Sequence, residues 1–175
     1  MPNYRRLRVP GGCWFFTVTL ADRSADHLVR HVDALRSSVR AVRERRPFRI
    51  DAMVILPDHI HAVWTLPEDD ADYSSRWYLI KLGFTRRLNT AGVALPPGRR
   101  RGERGLWQRR FWDHLLRDDD DYGRHVDYCH FNPMKHGLVD RVIDWPHSTF
   151  HRAVREGIYA PDWTGDAAQD RIGRE

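Results

Sequence analysis

Hydrophobic positions along the chain follow two different periods, and the period predicts which kind of element each segment forms. Residues 14–20 are rich in aromatic and β-branched side chains, which favours a β-strand. Between Asp26 and Arg45, hydrophobic residues recur every three or four positions, as in a helix with one buried face. That buried stripe consists of Leu28, Val32, Leu35, Val39 and Val42, and the outer face carries Arg30, Arg36, Arg40 and Arg43.

The remaining segments extend this alternation of strands and helices. Ser74 and Ser75 can cap a second helix, and Asp118 to Asp121 can begin a third helix, where carboxylates are favourable at the helix N-terminus. We expect the third helix to end near Phe131, because Pro133 disfavours helical backbone at Asn132. The predicted strands two to four cover residues 48–56, 59–66 and 106–116, and helices two and three cover residues 74–88 and 118–131.

The order of these elements predicts the fold class. It reads β-α-β-β-α-β with a further helix, which is the ferredoxin-like α+β pattern of an antiparallel sheet with helices on one face, plus a C-terminal helix. A chain of 175 residues suits one domain. We expect that domain to span residues 1–160 and residues 161–175 to form a polar, flexible tail.

Composition narrows the cellular setting and the partner. The two cysteines lack metal-site spacing, and no apolar run reaches the roughly 18 residues of a membrane span, so we expect a cytoplasmic protein without a signal peptide. The net charge is +5, and 27 of the 29 basic residues are arginine. Arginine binds phosphate through a planar fork, which favours a polyanionic partner, although a GC-rich genome would also enrich arginine.

Two histidines open the predicted third strand. Strand side chains alternate, so His59 and His61 point to the same face, roughly 7 Å apart, while Ile60 points to the other. Two imidazoles at that spacing can share a divalent metal, but they can equally be two exposed strand histidines. We expect the pair to lie on a polar face of the sheet.

The predicted third helix carries a second group of polar residues. Tyr128 and Asn132 are four residues apart and share a helix face, and His125 lies near that face. The apolar stripe of this helix runs through Tyr122, Val126 and Cys129, so Tyr128 is predicted to lie away from the centre of the core. On its own, Tyr128 could equally be an ordinary tyrosine at a helix–sheet boundary.

Other polar clusters have simpler interpretations. The pairs His27/His31 and His147/His151 have helical spacing but no supporting ligand, and we interpret both as surface pairs. The run Asp118 to Asp121 could bind a cation, but we interpret it as a solvated helix start.

Taken together, segments between residues 3 and 165 resemble the REP-associated tyrosine transposases, a bacterial branch of the HUH single-strand endonucleases. The resemblance rests on segments in one order: Tyr4-Arg5-Arg6, Gly11-Gly12 before residues 14–18, Arg46-Pro47-Phe48, Leu56 through His61, Ser74 through Trp77, Trp107-Gln108, Arg110 through Trp112, Tyr128 through Val139, and Trp145-Pro146 with Ser148-Thr149-Phe150. The block from Tyr128 to Val139 is the strongest.

The resemblance implies a role for each matching residue. His59 and His61 match the two-histidine metal motif, Tyr128 matches the catalytic tyrosine, and Asn132 matches a polar residue implied as third ligand of Mg²⁺ or Mn²⁺. His125 is a candidate assisting base. The family cleaves and rejoins single-stranded DNA at hairpins called REP sequences, and its pattern implies a 5′-phosphotyrosine intermediate. We expect a protein that acts on DNA as a monomer or homodimer. The basic residues expected to contact DNA are Arg99, Arg100, Arg101, Arg104, Arg109, Arg110 and Lys135.

Two alternatives stay open at this level. A catalytically inactive DNA-binding regulator would need the basic residues but neither Tyr128 nor the histidines. A hydrolytic nuclease that uses water would need the histidines but not Tyr128. Bases of a single strand could stack on Trp77, Trp107 or Trp112, although most tryptophans are expected in the core.

Overall fold

The computed structural model describes residues 7–96 and 105–165 of the chain. Its elements follow the predicted order of strands and helices. The strands are β1 (Cys13–Thr19), β2 (Arg49–Ile55), β3 (His59–Thr65) and β4 (Trp112–Leu115). The helices are α1 (His27–Arg30), α2 (Val32–Arg45), α3 (Tyr73–Thr90), α4 (Asp119–Lys135) and α5 (Phe150–Arg155), with a 3₁₀ turn at Val142–Asp144.

The four strands form one antiparallel sheet in the order β2-β3-β1-β4. This order confirms the ferredoxin-like α+β prediction. The register of β1 with β3 places Thr17 opposite His61 and Thr19 opposite His59. The predicted histidine pair therefore starts a central strand of the sheet, where both neighbouring strands hold it in place.

The two faces of the sheet carry different helices. Helices α2 and α3 cover one face, and their side chains pack with Trp14, Phe16 and Trp64 in the larger core. Helix α4 covers the opposite face, where Tyr128 and Cys129 pack with side chains from β1, β2 and β3. The helix that carries the candidate nucleophile is thus the helix added to the ferredoxin-like unit, and it encloses a second core.

Three predicted boundaries of helices and strands around the larger core were wrong. The helix expected from Asp26 to Arg45 is divided at His31 into α1 and α2. Helix α3 is capped by the side chain of Asp72, which accepts a hydrogen bond from the backbone of Ser75, and not by Ser74 or Ser75. Strand β4 is only four residues long, because the chain bends between the isolated Leu20–Trp107 bridge and the resumed pairing at Trp112.

The predicted end of α4 was also wrong, and the difference affects the site. The helix continues through Pro133 to Lys135. Proline removes one helical hydrogen bond, but Pro133 is buried, and its packing offsets the loss. Because the helix continues, Tyr128, Asn132 and Lys135 lie at positions i, i+4 and i+7 of a single helix face.

The chain after α5 packs against the back of α4. The Tyr159 hydroxyl donates to Asp127, and Trp163 lies 5.0 Å from the Tyr159 ring and 5.8 Å from the Phe150 ring between centroids. The expected tail begins at residue 161, and its last part, residues 166–175, lies outside the described residues. Along the described part of the chain, no helix has the length and apolar character needed to cross a membrane.

Candidate active site

His59 and His61 lie side by side between the sheet and α4. Their ring centroids are 4.8 Å apart, and the two residues are 2% and 0% exposed. Ile60 points to the opposite core, as the strand alternation predicts. The alternative of two exposed histidines is therefore wrong, and so is the expectation of a polar sheet face, because Phe15 and Tyr128 pack against His61.

Each histidine is held through one ring nitrogen. Asp58 accepts a hydrogen bond from His59 Nδ1 at 2.7 Å, and Thr17 Oγ1 lies 2.9 Å from His61 Nδ1. A carboxylate on Nδ1 fixes the tautomer that leaves the lone pair on Nε2, which is the usual support of a metal-binding imidazole. The Nε2 atoms of both rings are buried in the site.

The electrostatics of Asp58 support this arrangement. Burial by itself would raise the pKa of this carboxyl, but the hydrogen bond from His59 and the charges of His59 and Arg23 outweigh burial and lower its pKa. The Arg23 guanidinium forms an ion pair with Asp58 on the solvent side. Asp58 is therefore ionised at neutral pH and orients the His59 ring.

Tyr128 faces the histidine pair from α4. Its ring centroid lies 5.1 Å from that of His61 and 5.8 Å from that of Phe15, and the residue is 2% exposed. The prediction that Tyr128 lies away from the core was wrong, because α4 presents both Tyr128 and Cys129 to the sheet. The structure thus brings the candidate nucleophile and the candidate metal-binding pair into contact.

Asn132 is the polar residue one helical turn beyond Tyr128. Its Nδ2 donates to the Tyr128 carbonyl at 3.2 Å, and the residue is fully buried. Its Oδ1 is buried and has no hydrogen-bond partner among the described residues. A buried amide oxygen without a partner is costly unless it binds something else, so it fits a ligand of a divalent ion together with the two imidazoles.

Lys135 lies closer to the candidate nucleophile than the sequence indicated. Its ammonium nitrogen is 4.7 Å from the Tyr128 ring centroid and 3.5 Å from the Tyr128 hydroxyl oxygen. The sequence predicts only that Lys135 contacts DNA, without placing it near Tyr128. The structure places it at the atom proposed to attack the DNA.

Sequence reasoning assigned no role to His136, which caps the C-terminal end of α4. Its ring centroid lies 5.1 Å from that of His59, and the residue is exposed. It therefore borders the histidine pair on the solvent side. The signal in the sequence is helical spacing: in a helix that continues through Pro133, His136 lies one turn beyond Asn132, on the same side as the other site residues.

His125 belongs to a neighbouring cluster with His114 and Asp121. Its Nδ1 donates to the Asp121 carbonyl at 2.7 Å, and its ring is 4.9 Å from His114 and 4.8 Å from Phe15 between centroids. Phe15 also contacts Tyr128, so its ring lies beside both groups. The role of His125 as an assisting base stays a prediction.

Asp121 is buried at the centre of that cluster, so the predicted acidic run is not solvated throughout. Burial would raise its pKa, but hydrogen bonds from His114 and the Arg117 backbone, with the charges of both histidines, lower its pKa to about 2. The donor atoms of His114, Asp121 and His125 lie within 4.8 Å of one another, so the group could hold a metal ion. Two arginines already pair with the Asp121 carboxylate, which disfavours a further cation there.

The three tryptophans that could stack on DNA bases differ in their exposure to solvent. Trp77 is fully buried, and Trp107 donates to Thr85 at 3.2 Å. Trp112 is 48% exposed and stacks on His114 with ring centroids 5.6 Å apart. Of the three, Trp112 is the one that presents its ring to solvent.

The six arginines predicted to contact DNA fall in two groups. Arg109 and Arg110 are exposed just before β4. Arg99, Arg100, Arg101 and Arg104 lie outside the described residues.

The other histidine pairs, His27/His31 and His147/His151, are partly buried. The His27 and His31 rings stack with centroids 6.0 Å apart, and His151 Nε2 lies 2.8 Å from the Trp145 carbonyl oxygen.

Comparisons with known proteins show which family the chain resembles. No family model matches the chain. A REP-associated tyrosine transposase from Escherichia coli strain K12 is 46% identical over 173 residues, which cover 99% of this chain and 97% of the relative. A relative from Haemophilus influenzae with the same family name is 46% identical over 95% of both chains.

A solved structure extends the similarity to the fold. A REP-associated tyrosine transposase bound to a REP hairpin has a TM-score of 0.86 and 45% sequence identity, covering 100% of this chain and 98% of that chain. Sequence similarity of this extent, together with the shared fold, identifies the family. The chain belongs to the REP-associated tyrosine transposases.

Proposed function

We propose that this chain cuts single-stranded DNA beside a REP-type hairpin and joins the cut end to another strand through a covalent bond to Tyr128. The observation that carries this proposal is the juxtaposition of Tyr128 with the His59/His61 pair across the sheet–helix interface. A structural tyrosine would need neither the buried histidines nor the buried amide oxygen of Asn132 beside it.

The donor set supports a divalent ion at the site. His59, His61 and Asn132 would hold it, and mixed nitrogen and oxygen ligands are compatible with Mg²⁺ or Mn²⁺. When bound, the ion supplies Lewis-acid polarisation of a phosphoryl oxygen. Asp58 and Thr17 keep the two imidazoles oriented toward this position through their Nδ1 atoms.

The reaction can be written as two balanced transfers. The Tyr128 oxygen forms a bond to phosphorus as the bond between phosphorus and the 3′ oxygen breaks. The phenol proton leaves, the 3′ oxygen takes up a proton, and the DNA 5′ end remains as a phosphotyrosine. A second 3′-hydroxyl can then attack the same phosphorus and release Tyr128, so that strands are joined without an external energy source.

Recognition of DNA would involve the basic surface and Trp112. A solved relative is bound to a REP hairpin, and we infer that this chain binds a hairpin of the same class. Arginine contacts with phosphate provide affinity, while an exposed tryptophan can stack on an unpaired base. Arg109, Arg110 and the arginines of the segment 99–104 are the proposed phosphate contacts.

The two alternatives differ from this proposal in the covalent step. A hydrolytic nuclease would cut through water and leave no protein–DNA bond. An inactive regulator would bind the hairpin without cutting it. The contact between Tyr128 and His61 favours covalent transfer over both, because neither alternative needs a tyrosine at that position.

A covalent adduct tests the proposal directly. The full chain is incubated with Mn²⁺ and labelled hairpins that carry single-stranded flanks, and the products are separated under denaturing conditions. We expect a protein–DNA adduct whose proteolysis leaves the nucleotide on Tyr128, as identified by mass spectrometry. Cleavage without any adduct would favour hydrolysis, tight binding without cleavage would favour the regulator, and an adduct at another residue would refute the assignment.

A further inference from the structure

Lysine is rare in this chain, and its two occurrences have different surroundings. Of the 29 basic residues, 27 are arginine, and the lysines are Lys81 and Lys135. Lys81 lies on α3. Its ammonium is 5.4 Å from the ring centroids of both Trp107 and Phe111 and 3.3 Å from the Gln108 carbonyl. Lys135 lies on α4 at the Tyr128 hydroxyl.

The position of Lys135 follows from the continuation of α4 through Pro133. Seven residues separate Tyr128 and Lys135, which places both on one helix face. Lys135 is exposed while Tyr128 is buried, so the ammonium covers the phenol from the solvent side. A phosphate bonded to the Tyr128 oxygen would therefore lie within reach of this ammonium.

We propose that Lys135 is a catalytic residue whose ammonium binds the phosphoryl group that Tyr128 attacks, and that it is not a peripheral contact to the DNA backbone. This inference rests on the proposed function and assigns it a further residue. The ammonium is 3.5 Å from the attacking oxygen, and the phosphorus bonds to that same oxygen. A compact ammonium with three rotatable donors can follow a nonbridging phosphate oxygen from the bound DNA to the phosphotyrosine.

Two simpler explanations of Lys135 make different predictions. A cation over an aromatic ring, or at a helix C-terminus, contributes to folding alone, and an arginine would serve either purpose. A peripheral backbone contact would change the affinity for DNA and its salt dependence, but not the rate once DNA is saturating. Neither explanation predicts a slower rate once DNA is saturating, whereas a contact with the transferred phosphoryl group does.

Single-turnover cleavage at saturating DNA distinguishes these explanations. Lys135→Met keeps the length of the side chain and removes its charge. We expect the rate to fall about 10- to 100-fold, as for the loss of one charge-assisted contact, and DNA affinity measured in chelator to fall by a smaller factor. Lys81→Met is the matched control, and it should cleave at the wild-type rate.

Two further variants separate loss of charge from loss of structure. Methylammonium should restore part of the Lys135→Ala rate in a concentration-dependent way, and it should have no effect on Lys81→Ala. Lys135→Arg should preserve the thermal stability but not the full rate, because the planar guanidinium does not reproduce a compact ammonium. A Lys135→Met rate within twofold of wild type, or an effect on affinity alone, would overturn the inference.

A binding measurement tests the contact without any cleavage. Dimethylation with ¹³C preserves lysine charge, and with two lysines the spectrum has two side-chain signals to follow. In Tyr128→Phe, which has no nucleophile, hairpin DNA should shift the Lys135 signal and leave that of Lys81 in place. An unshifted Lys135 signal in saturated complex would refute the contact, whereas failure of the wild type to form an adduct would refute the proposed function.

Discussion

Replacing His61 with alanine tests both the burial of the histidine pair and its role in binding metal. His61 is fully buried, stacks on Phe15 with ring centroids 5.5 Å apart, and contacts Thr17 and Tyr128. His61→Ala leaves a cavity between the sheet and α4 and removes the hydrogen-bond partner of Thr17. Large-to-small changes at such sites cost about 2–4 kcal/mol.

The cost can be compared with the stability of a domain of this size. About 1 kcal/mol corresponds to roughly 2–4 °C in Tm for a chain of this length, so His61→Ala should melt roughly 5–15 °C lower than wild type. Domains are typically stable by about 5–15 kcal/mol, so the variant should remain folded at 25 °C. If His61 lay on an exposed, polar face of the sheet, His61→Ala would leave the Tm almost unaltered.

The metal contribution is measured in the same assay without DNA. A ligand at 100 times its Kd stabilises the folded state by about 2.7 kcal/mol, so Mn²⁺ should raise the wild-type Tm by several degrees. Circular dichroism melts with and without Mn²⁺ should show this rise for wild type and for the control His31→Ala, and not for His61→Ala. An equal Mn²⁺ shift in His61→Ala would refute metal binding by the pair, and an unchanged Tm without metal would refute its burial.

Three further predictions concern the nucleophile, the DNA and acid stability. Tyr128→Phe keeps the ring but should form no adduct and should cleave DNA at least about 10³-fold more slowly; normal cleavage by this variant would contradict the mechanism. Tyr122→Phe is the control and should cleave normally, since the pKa of the native Tyr122 phenol is raised to about 12, chiefly by burial. Trp112→Ala should weaken binding to single strands by about 1–3 kcal/mol in fluorescence anisotropy and leave duplex binding unchanged; equal losses on both substrates would exclude stacking. Asp121→Asn should lower the free energy of unfolding, measured in urea at pH 7, by about 2 kcal/mol, because folding lowers the pKa of Asp121 from 3.8 to about 2. This stabilisation is present above pH 3.8 and is lost as the pH falls toward 2. A difference in stability that persists at pH 2 would therefore have another cause.

Local patterns in the sequence determined the elements and the direction of several side chains. Alternation along β3 places His59 and His61 on one face and Ile60 on the other, because successive strand residues point to opposite sides. The order of strands and helices restricts the sheet to few topologies, and the ferredoxin-like order was among them. Likewise, helical spacing places Tyr128 and Asn132 on one face of α4 wherever that helix docks.

The surroundings of those side chains depend on contacts between residues far apart in sequence, and these only the tertiary structure decided. Docking of α4 on the second sheet face buries the histidine pair and Tyr128, which local polarity alone had predicted to be exposed or peripheral. Packing around Pro133 outweighs the local preference to end the helix, and this brings Lys135 to the Tyr128 hydroxyl and His136 to the His59 ring. Propensity acts on a residue and its near neighbours, whereas burial sums contacts over the whole fold. Candidate site residues could therefore be proposed from the sequence, but their environment could not be predicted.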